Sequence, residues 1–197
     1  MNLSKQNLDI ATQYFLGNTT LLDQKDDDFR NLFLSYASDN NSSTVREAVT
    51  LHCLGYTSYK EKHGADGVNP NTGKEVEVKP KFIAEGKTLG TAVGNFNDLT
   101  LDLLEKKKDY SVICSLFSEN RLIYIVEFPI SLIYEKMRLH ILKKMQGPGN
   151  SRTVCSFNYN DYDNDLLHVH YYDDEAARTT KVLSKPHRSM LNKRYVS

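Results

Sequence analysis

Residues 63–81 read HGADGVNPNTGKEVEVKPK, and both the predicted fold and the candidate site follow from this stretch. Two runs with strand character, residues 65–68 and 74–79, flank the sequence NPNTG at residues 69–73. Proline, asparagine and glycine favour turns, so the stretch is predicted to form a β-hairpin or a near-hairpin.

The second run of the hairpin alternates charged and apolar residues. The charged residues Glu75, Glu77 and Lys79 alternate with Val76 and Val78. Because side chains on a β-strand point alternately to opposite faces, the charges are predicted to share one face and the valines the other. The turn then brings Asp66 beside this charged face, so that two carboxylates and an ammonium group converge.

Two carboxylates and a lysine suit metal-assisted hydrolysis of a phosphodiester. Magnesium prefers oxygen ligands, and Asp66 and Glu77 supply two carboxylates, with the main-chain carbonyl of Val78 as a candidate third ligand. A bound metal polarises a phosphoryl oxygen and lowers the pKa of a bound water. Lys79 lies on the same predicted face and is expected to orient that water or to offset charge in the transition state.

Asp66 followed by Glu77-Val78-Lys79 resembles the PD-(D/E)xK nuclease superfamily, which includes many type II restriction endonucleases and mismatch-repair nicking enzymes. The proline that precedes the aspartate in the motif is Ala65 here. The resemblance implies a Mg²⁺-dependent deoxyribonuclease, with Mn²⁺ as a possible substitute, that leaves 5′-phosphate ends. It also implies a glutamate on the helix before the first core strand, a placement that Glu47 matches; otherwise Glu47 is an exposed helix charge.

The three-residue core of the motif is weak evidence when it stands alone. The chain has 25 acidic residues and 17 lysines, so roughly two acid-x-Lys matches are expected by chance. Four are present, beginning at Asp23, Glu77, Glu85 and Glu105. Only the match at Glu77 lies in an alternating β-branched run that follows an Asp-Gly pair. The alternative interpretation is an edge hairpin with solvated charges.

Composition indicates a soluble globular chain. The 197 residues are 40% hydrophobic and 25% charged, which is ordinary for a globular protein of one domain or one domain with a helical appendage. No apolar run approaches the length of a membrane helix, and the N-terminus lacks an apolar signal core. Cys53, Cys114 and Cys155 are far apart, so a reduced, cytoplasmic protein with buried thiols and without zinc is predicted.

The pattern of elements predicts an α/β fold: a restriction-endonuclease-like core with a central mixed β-sheet flanked by helices, after an N-terminal helical segment. Expected units are residues 1–43 (helical segment), 44–175 (nuclease core) and 176–197 (basic C-terminal tail). Helices are predicted over about 3–16, 20–37, 44–54, 98–108 and 131–145. Strands are predicted over 110–117 and 121–128, both central, and over 153–158 and 166–171, which complete the sheet. Asn97 or Asp98 is expected to cap the fourth helix.

Charge is balanced overall but unevenly distributed. The formal net charge is zero, while an acidic segment at 161–175 precedes basic residues from 178 onward. Double-stranded DNA is the expected partner, with the acidic segment facing away from it. The expected contacts lie in a Gly-rich loop, a polar loop and the tail: Lys81, Lys87, Asn97, Arg152, Lys181, Lys185 and Arg188. Cutting both strands of a symmetric site further predicts a homodimer.

The sequence also leaves other functions open. His168 and His170 share one face of a predicted strand and form a candidate metal pair, but no third ligand stands at a defined spacing. A G-x-S-x-G nucleophile elbow is absent from the sequence, which argues against Ser/His/Asp hydrolysis. The remaining alternatives are a nicking, junction-resolving or homing endonuclease with the same site, or a non-catalytic DNA-binding or protein-interaction module.

Overall fold

A central sheet of six strands with helices on both faces organises the chain. The structure is a computed structural model, and it describes residues 4–39, 43–59, 64–90, 92–145 and 153–195. The helices are α1 (Lys5–Phe15), α2 (Thr20–Asp23), α3 (Asp27–Ser38), α4 (Thr44–Leu54), α5 (Leu101–Lys106), α6 (Ser131–Met145), α7 (Asp174–Thr179) and α8 (Lys185–Arg194). The strands are β1 (Thr57–Ser58), β2 (Gly67–Val68), β3 (Glu75–Ile83), β4 (Gly94–Phe96), β5 (Ser111–Ser118), β6 (Arg121–Pro129), β7 (Cys155–Phe157) and β8 (His168–Tyr172). The predicted mixed α/β architecture is confirmed.

The central sheet has the strand order β1-β2-β3-β5-β6-β8. Strands β3 and β5 are parallel, whereas the other neighbouring pairs are antiparallel. Every residue of β5 is buried, which confirms the prediction of a strand covered on both faces. Val112 and Cys114 of β5 pack into the core on one face, and Ile113 and Phe117 into the core on the other.

Each face of the sheet has its own apolar core. Helices α1, α3 and α4 cover one face, where Val76 and Val78 of β3 pack among their side chains. The second core receives buried residues from α5, α6, α7, α8 and the short strands β4 and β7. Helix α4 has the predicted bounds, and Gly55 ends it in the left-handed conformation, with φ of 68°. The valines and the charges of β3 therefore face different layers, as predicted.

The predicted second helix, residues 20–37, is wrong as a single element. It consists of α2 and α3, because the side chain of Asp26 accepts a 2.8 Å hydrogen bond from the main-chain N–H of Phe29 and so begins a new helix. Apolar periodicity continues across this break, which is why the sequence indicated one helix.

The region between the hairpin and β5 also departs from prediction. Strand β3 extends to Ile83 because every residue from Val76 to Ile83 pairs with β5, so the first residues of the predicted Gly-rich loop, 82 and 83, are strand. Helix α5 begins at Leu101, and Thr100 caps it by accepting a hydrogen bond from the N–H of Leu103. Asn97 and Asp98 precede this cap and do not form it.

Residues 153–158 were predicted to complete the central sheet, and this is wrong. Strand β7 pairs with β4 in a separate two-stranded antiparallel sheet. The ring of Phe157 lies against Gly94, where a Cβ atom would collide with it. Phe96 and Phe157 are both buried in the second core, so burial of aromatic side chains decides the pairing rather than strand propensity.

The described part of the predicted C-terminal tail, residues 176–195, is folded. Helices α7 and α8 pack onto the second core, and Ala177, Met190 and Leu191 are buried there. Ser184 caps α8 by accepting a hydrogen bond from the N–H of His187. The apolar residues between the lysines and arginines anchor this segment to the core, so its basic side chains are held on a folded surface.

The three cysteines are free. Cys114 and Cys155 are buried as predicted, whereas Cys53 on α4 is exposed, which corrects the prediction for that thiol. Within the described ranges, none of the helices combines the length and apolar character needed to cross a membrane.

Candidate active site at the edge of the central sheet

Asp66 is held where strand β2 meets β3. Its N–H donates to the carbonyl oxygen of Val76 at 3.0 Å, and its carboxylate Oδ2 accepts a 2.7 Å hydrogen bond from the N–H of Val78. The register that makes these contacts pairs Gly67 with Val76. Gly67 is required because a Cβ atom there would lie 2.5 Å from the carbonyl oxygen of Thr57. The hairpin thus places Asp66 against the strand that carries the other predicted residues.

Glu77 is almost completely buried, with 8% of its surface exposed. Its Oε1 atom accepts a hydrogen bond from Lys79 Nζ at 2.6 Å. The Lys79 ammonium also lies 4.7 Å from the centre of the Phe96 ring, a cation–π contact that fixes its position. Alternation along β3 therefore brings Glu77 and Lys79 together, as the sequence predicted.

The structure adds Lys107 to this group. The Lys107 ammonium donates to Glu77 Oε2 and lies 3.3 Å from the carbonyl oxygen of Gly64 and 5.1 Å from the centre of the Tyr110 ring. In the sequence, Lys107 is only the last residue of the acid-x-Lys match that begins at Glu105. The sequence does not distinguish it from its two neighbouring lysines, because the position at which α5 ends decides which of the three side chains points inward.

Burial and charge act in opposite directions on the two carboxylates. Burial and the negative charge of Glu77 raise the pKa of Asp66 to about 6, against the hydrogen bond from Val78 and the charge of Lys79. Burial alone would raise the pKa of Glu77, but Lys79 and Lys107 outweigh it and hold that pKa below its ordinary value. The site thus holds one firmly ionised carboxylate beside a second whose ionisation is opposed.

Oxygen atoms of the kind that a hard divalent cation binds face this edge, although both Glu77 oxygens already accept hydrogen bonds from Lys79 and Lys107. In a β-strand the N–H and C=O of one residue point to the same side. Because the N–H of Val78 points to Asp66, the Val78 carbonyl faces the same edge. A cation between Asp66 and Glu77 would relieve the effect of the Glu77 charge, which together with the larger effect of burial raises the pKa of Asp66. The described residues hold no group of three or more His, Cys, Asp or Glu side chains suited to a metal ion, and the expected set needs only two carboxylates.

Glu47 lies within electrostatic range of the site. It is half-buried in the first turn of α4, and its charge is among those that raise the pKa of Asp66. The structure therefore brings together three of the side chains predicted as catalytic, Asp66, Glu77 and Lys79, and places the fourth, Glu47, within electrostatic range of Asp66.

Two of the residues predicted to contact DNA lie in different surroundings. Lys81 is half-buried, and its ammonium donates to the carbonyl oxygen of Ala92, while burial lowers its pKa; it is held internally. Asn97 is exposed just before α5. Arg152 and the rest of the loop 146–152 lie outside the described residues.

Among the remaining predicted contacts, the segments that carry Lys87 and Lys181 are brought together. The N–H of Leu89 donates to the carbonyl oxygen of Val182 at 2.7 Å, which joins the loop of Lys87 to the segment of Lys181. Both of these lysines are exposed, as is Lys185 at the start of α8, while Arg188 is half-buried. This basic surface begins beyond the C-terminal end of β3, and Lys79 lies four residues before that end, about 13 Å along the strand.

The acidic segment is paired within the protein. Arg194 contacts Asp163 at 2.9 Å and Asp165 at 3.4 Å, and Arg178 contacts Asp174 at 3.1 Å. The basic and acidic stretches that the sequence separates therefore neutralise each other in part.

His168 and His170 form no metal pair with a third ligand in the described structure. The Nε2 atom of His170 lies 2.9 Å from Glu127 Oε2, which also accepts a 2.8 Å hydrogen bond from the Tyr56 hydroxyl. Asn69, in the hairpin turn, donates to that hydroxyl at 2.7 Å. This network ties the hairpin to β6 and β8.

The arrangement gathers two carboxylates and an ammonium group at a sheet edge, with the Glu47 carboxylate within electrostatic range of Asp66. Those are the elements of metal-assisted hydrolysis of a phosphodiester.

Comparison with known proteins identifies no relative: no family model matches the sequence, and no curated protein is significantly similar to it.

Proposed function

We propose that this chain is a Mg²⁺-dependent deoxyribonuclease, of the type II restriction-like kind, that hydrolyses phosphodiester bonds in double-stranded DNA and leaves 5′-phosphate ends. The observation that carries the proposal is the convergence of Asp66, Glu77 and Lys79 at one edge of the sheet, with Asp66 bonded to the N–H of Val78. A restriction-endonuclease-like core belongs to the same proposal. Its support is the central mixed sheet and the position of Glu47 on the helix before it.

Each residue has a role that follows from its contacts. Asp66, Glu77 and the Val78 carbonyl are the groups that would hold the cation. A bound Mg²⁺ or Mn²⁺ supplies Lewis acidity and makes a bound water more acidic. Lys79, held against Phe96, keeps an ammonium group where charge develops on the phosphate. Glu47 offers a further carboxylate that can orient water next to Asp66.

The partner in this proposal is duplex DNA, bound by two copies of the chain. One site cuts one strand, so cleavage of both strands of a symmetric sequence most simply requires two copies related by a two-fold axis. The exposed basic surface around Lys87, Lys181 and Lys185 is a sequence-independent contact in this arrangement.

The test is incubation of the purified chain with supercoiled plasmid and Mg²⁺, with and without chelator. Discrete linear fragments that carry 5′-phosphates support a restriction-like enzyme. Nicked circles support a repair, junction-resolving or homing role for the same site. The nuclease proposal is wrong if neither Mg²⁺ nor Mn²⁺ produces cleavage, and a DNA-binding or protein-interaction module then becomes the better reading.

Variants locate the activity. Asp66→Ala and Glu77→Ala should each abolish metal-dependent cleavage, because each removes an oxygen ligand. Glu85→Ala is the matched control, since Glu85 begins an acid-x-Lys match of the same form but is exposed beyond the end of β3. Cleavage near the wild-type rate by either of the first two variants would contradict the assignment of the ligands.

A further inference from the structure

Lys107 reaches Glu77 from a different part of the chain than Lys79. It is the residue that caps the C-terminal end of α5, and its side chain is only 15% exposed. Its ammonium is surrounded by the Glu77 carboxylate, the Gly64 carbonyl and the face of Tyr110. All three are electron-rich, so the ammonium is held in surroundings that suit a cation.

The neighbouring lysines do not share this position. Lys108 is exposed and pairs with Glu105 at 2.6 Å on the surface of α5. Lys106 is exposed as well. Lys107 alone among these three consecutive lysines contacts the candidate site, so its inward position depends on the end of the helix and not on the charge of the run.

With Lys107 in place, both oxygen atoms of Glu77 are occupied by ammonium groups. Lys79 takes Oε1 and Lys107 takes Oε2. A divalent cation that binds Glu77 must therefore either take one of these oxygens from an ammonium group or bind beside two positive charges. Coulomb repulsion between a cation and a fixed ammonium is strong in a partly buried site.

We propose that Lys107 is a built-in counter-ion of Glu77 that weakens the binding of divalent cations at the candidate site and so sets the cation concentration at which the site fills. This inference rests on the proposed function, because that proposal supplies the cation. It differs from a purely positioning role for Lys107 in the sign of its effect. If Lys107 only held Glu77 in place, removal of its charge would leave cation binding unchanged or weaken it.

The test uses Mn²⁺ alone as the probe, with the full chain and no DNA. Free Mn²⁺ is measured by electron paramagnetic resonance during titration of the chelator-treated protein. Lys107→Gln keeps a hydrogen-bond donor beside Glu77 without the charge, and Lys107→Met removes both. We expect each variant to bind Mn²⁺ at least about tenfold more tightly than the wild type, since one unit charge next to the ligands is lost. Lys108→Gln is the control and should leave the affinity unchanged.

The outcomes separate this inference from the proposed function. Tighter binding in the Lys107 variants, lost again when Glu77→Gln is added, supports the inference. Mn²⁺ binding that depends on Glu77 but is equal or weaker in the Lys107 variants overturns it and leaves the proposed function standing. Absence of Mn²⁺ binding in every protein, including the wild type, overturns both.

Discussion

His187 provides a quantitative test of the second core. It is 2% exposed, its ring stacks on Tyr159 at 4.4 Å between centres, and the Tyr124 ring lies 5.4 Å away. Among the described residues, its Nε2 atom has no hydrogen-bond partner. Burial lowers the pKa of His187 from 6.5 to about 4. The folded protein therefore holds this imidazole neutral at a pH where the unfolded chain binds a proton.

The sign and size of the effect follow by linkage. Because the folded pKa lies below the unfolded value, the stabilisation is complete above pH 6.5 and is lost as the pH falls toward 4. The difference of about 2.5 pKa units corresponds to about 3 kcal/mol of the free energy of unfolding. Urea unfolding of the wild type at pH values from 7.5 to 4 measures this loss.

His187→Phe removes the titrating group and keeps a ring in the stack, so its stability should fall less over the same range. The difference between the two proteins isolates His187 from the carboxylates that also titrate. His168→Gln, on the exposed side of β8, is the control and should follow the wild type. If His187→Phe lost as much free energy of unfolding between pH 7.5 and 4 as the wild type, within about 1 kcal/mol, this explanation of the buried imidazole would be refuted.

Three further predictions concern the candidate site and its assembly. Lys79→Ala should lower the single-turnover rate of DNA cleavage far more than DNA affinity, because its proposed role is in the transition state; a loss confined to affinity would make Lys79 an ordinary phosphate contact. Gly67→Ala should destabilise the chain by about 1–3 kcal/mol in urea unfolding and should also reduce cleavage. The reason is that a Cβ atom at that position, next to Asp66, would lie 2.5 Å from the Thr57 carbonyl oxygen. Wild-type stability in this variant would contradict the close pairing of β1 and β2. Light scattering of the DNA complex should give two chains per duplex, and one chain with nicked product would favour the repair or nicking alternative.

Local sequence patterns predicted the elements that decide the architecture. Helix α4 and strands β5 and β6 were predicted at or near their observed bounds, because an apolar helix ended by glycine and nearly continuous apolar runs leave few alternatives. The alternation of β3 likewise predicted that Glu77 and Lys79 share a face. These features depend on contacts within a few residues of the chain.

Only the tertiary structure decided how distant segments meet. Periodicity did not reveal that β7 pairs with β4, because both strands are three residues long and are selected by the fit of Phe157 against Gly94. It did not reveal that the basic C-terminal residues are anchored by Met190 and Leu191. Lys107 is the clearest case: a run of three lysines is uniform in sequence, and its middle member enters the site because α5 ends where its side chain can reach Glu77. Contacts of this kind depend on shape and charge across elements, which a one-dimensional pattern does not carry.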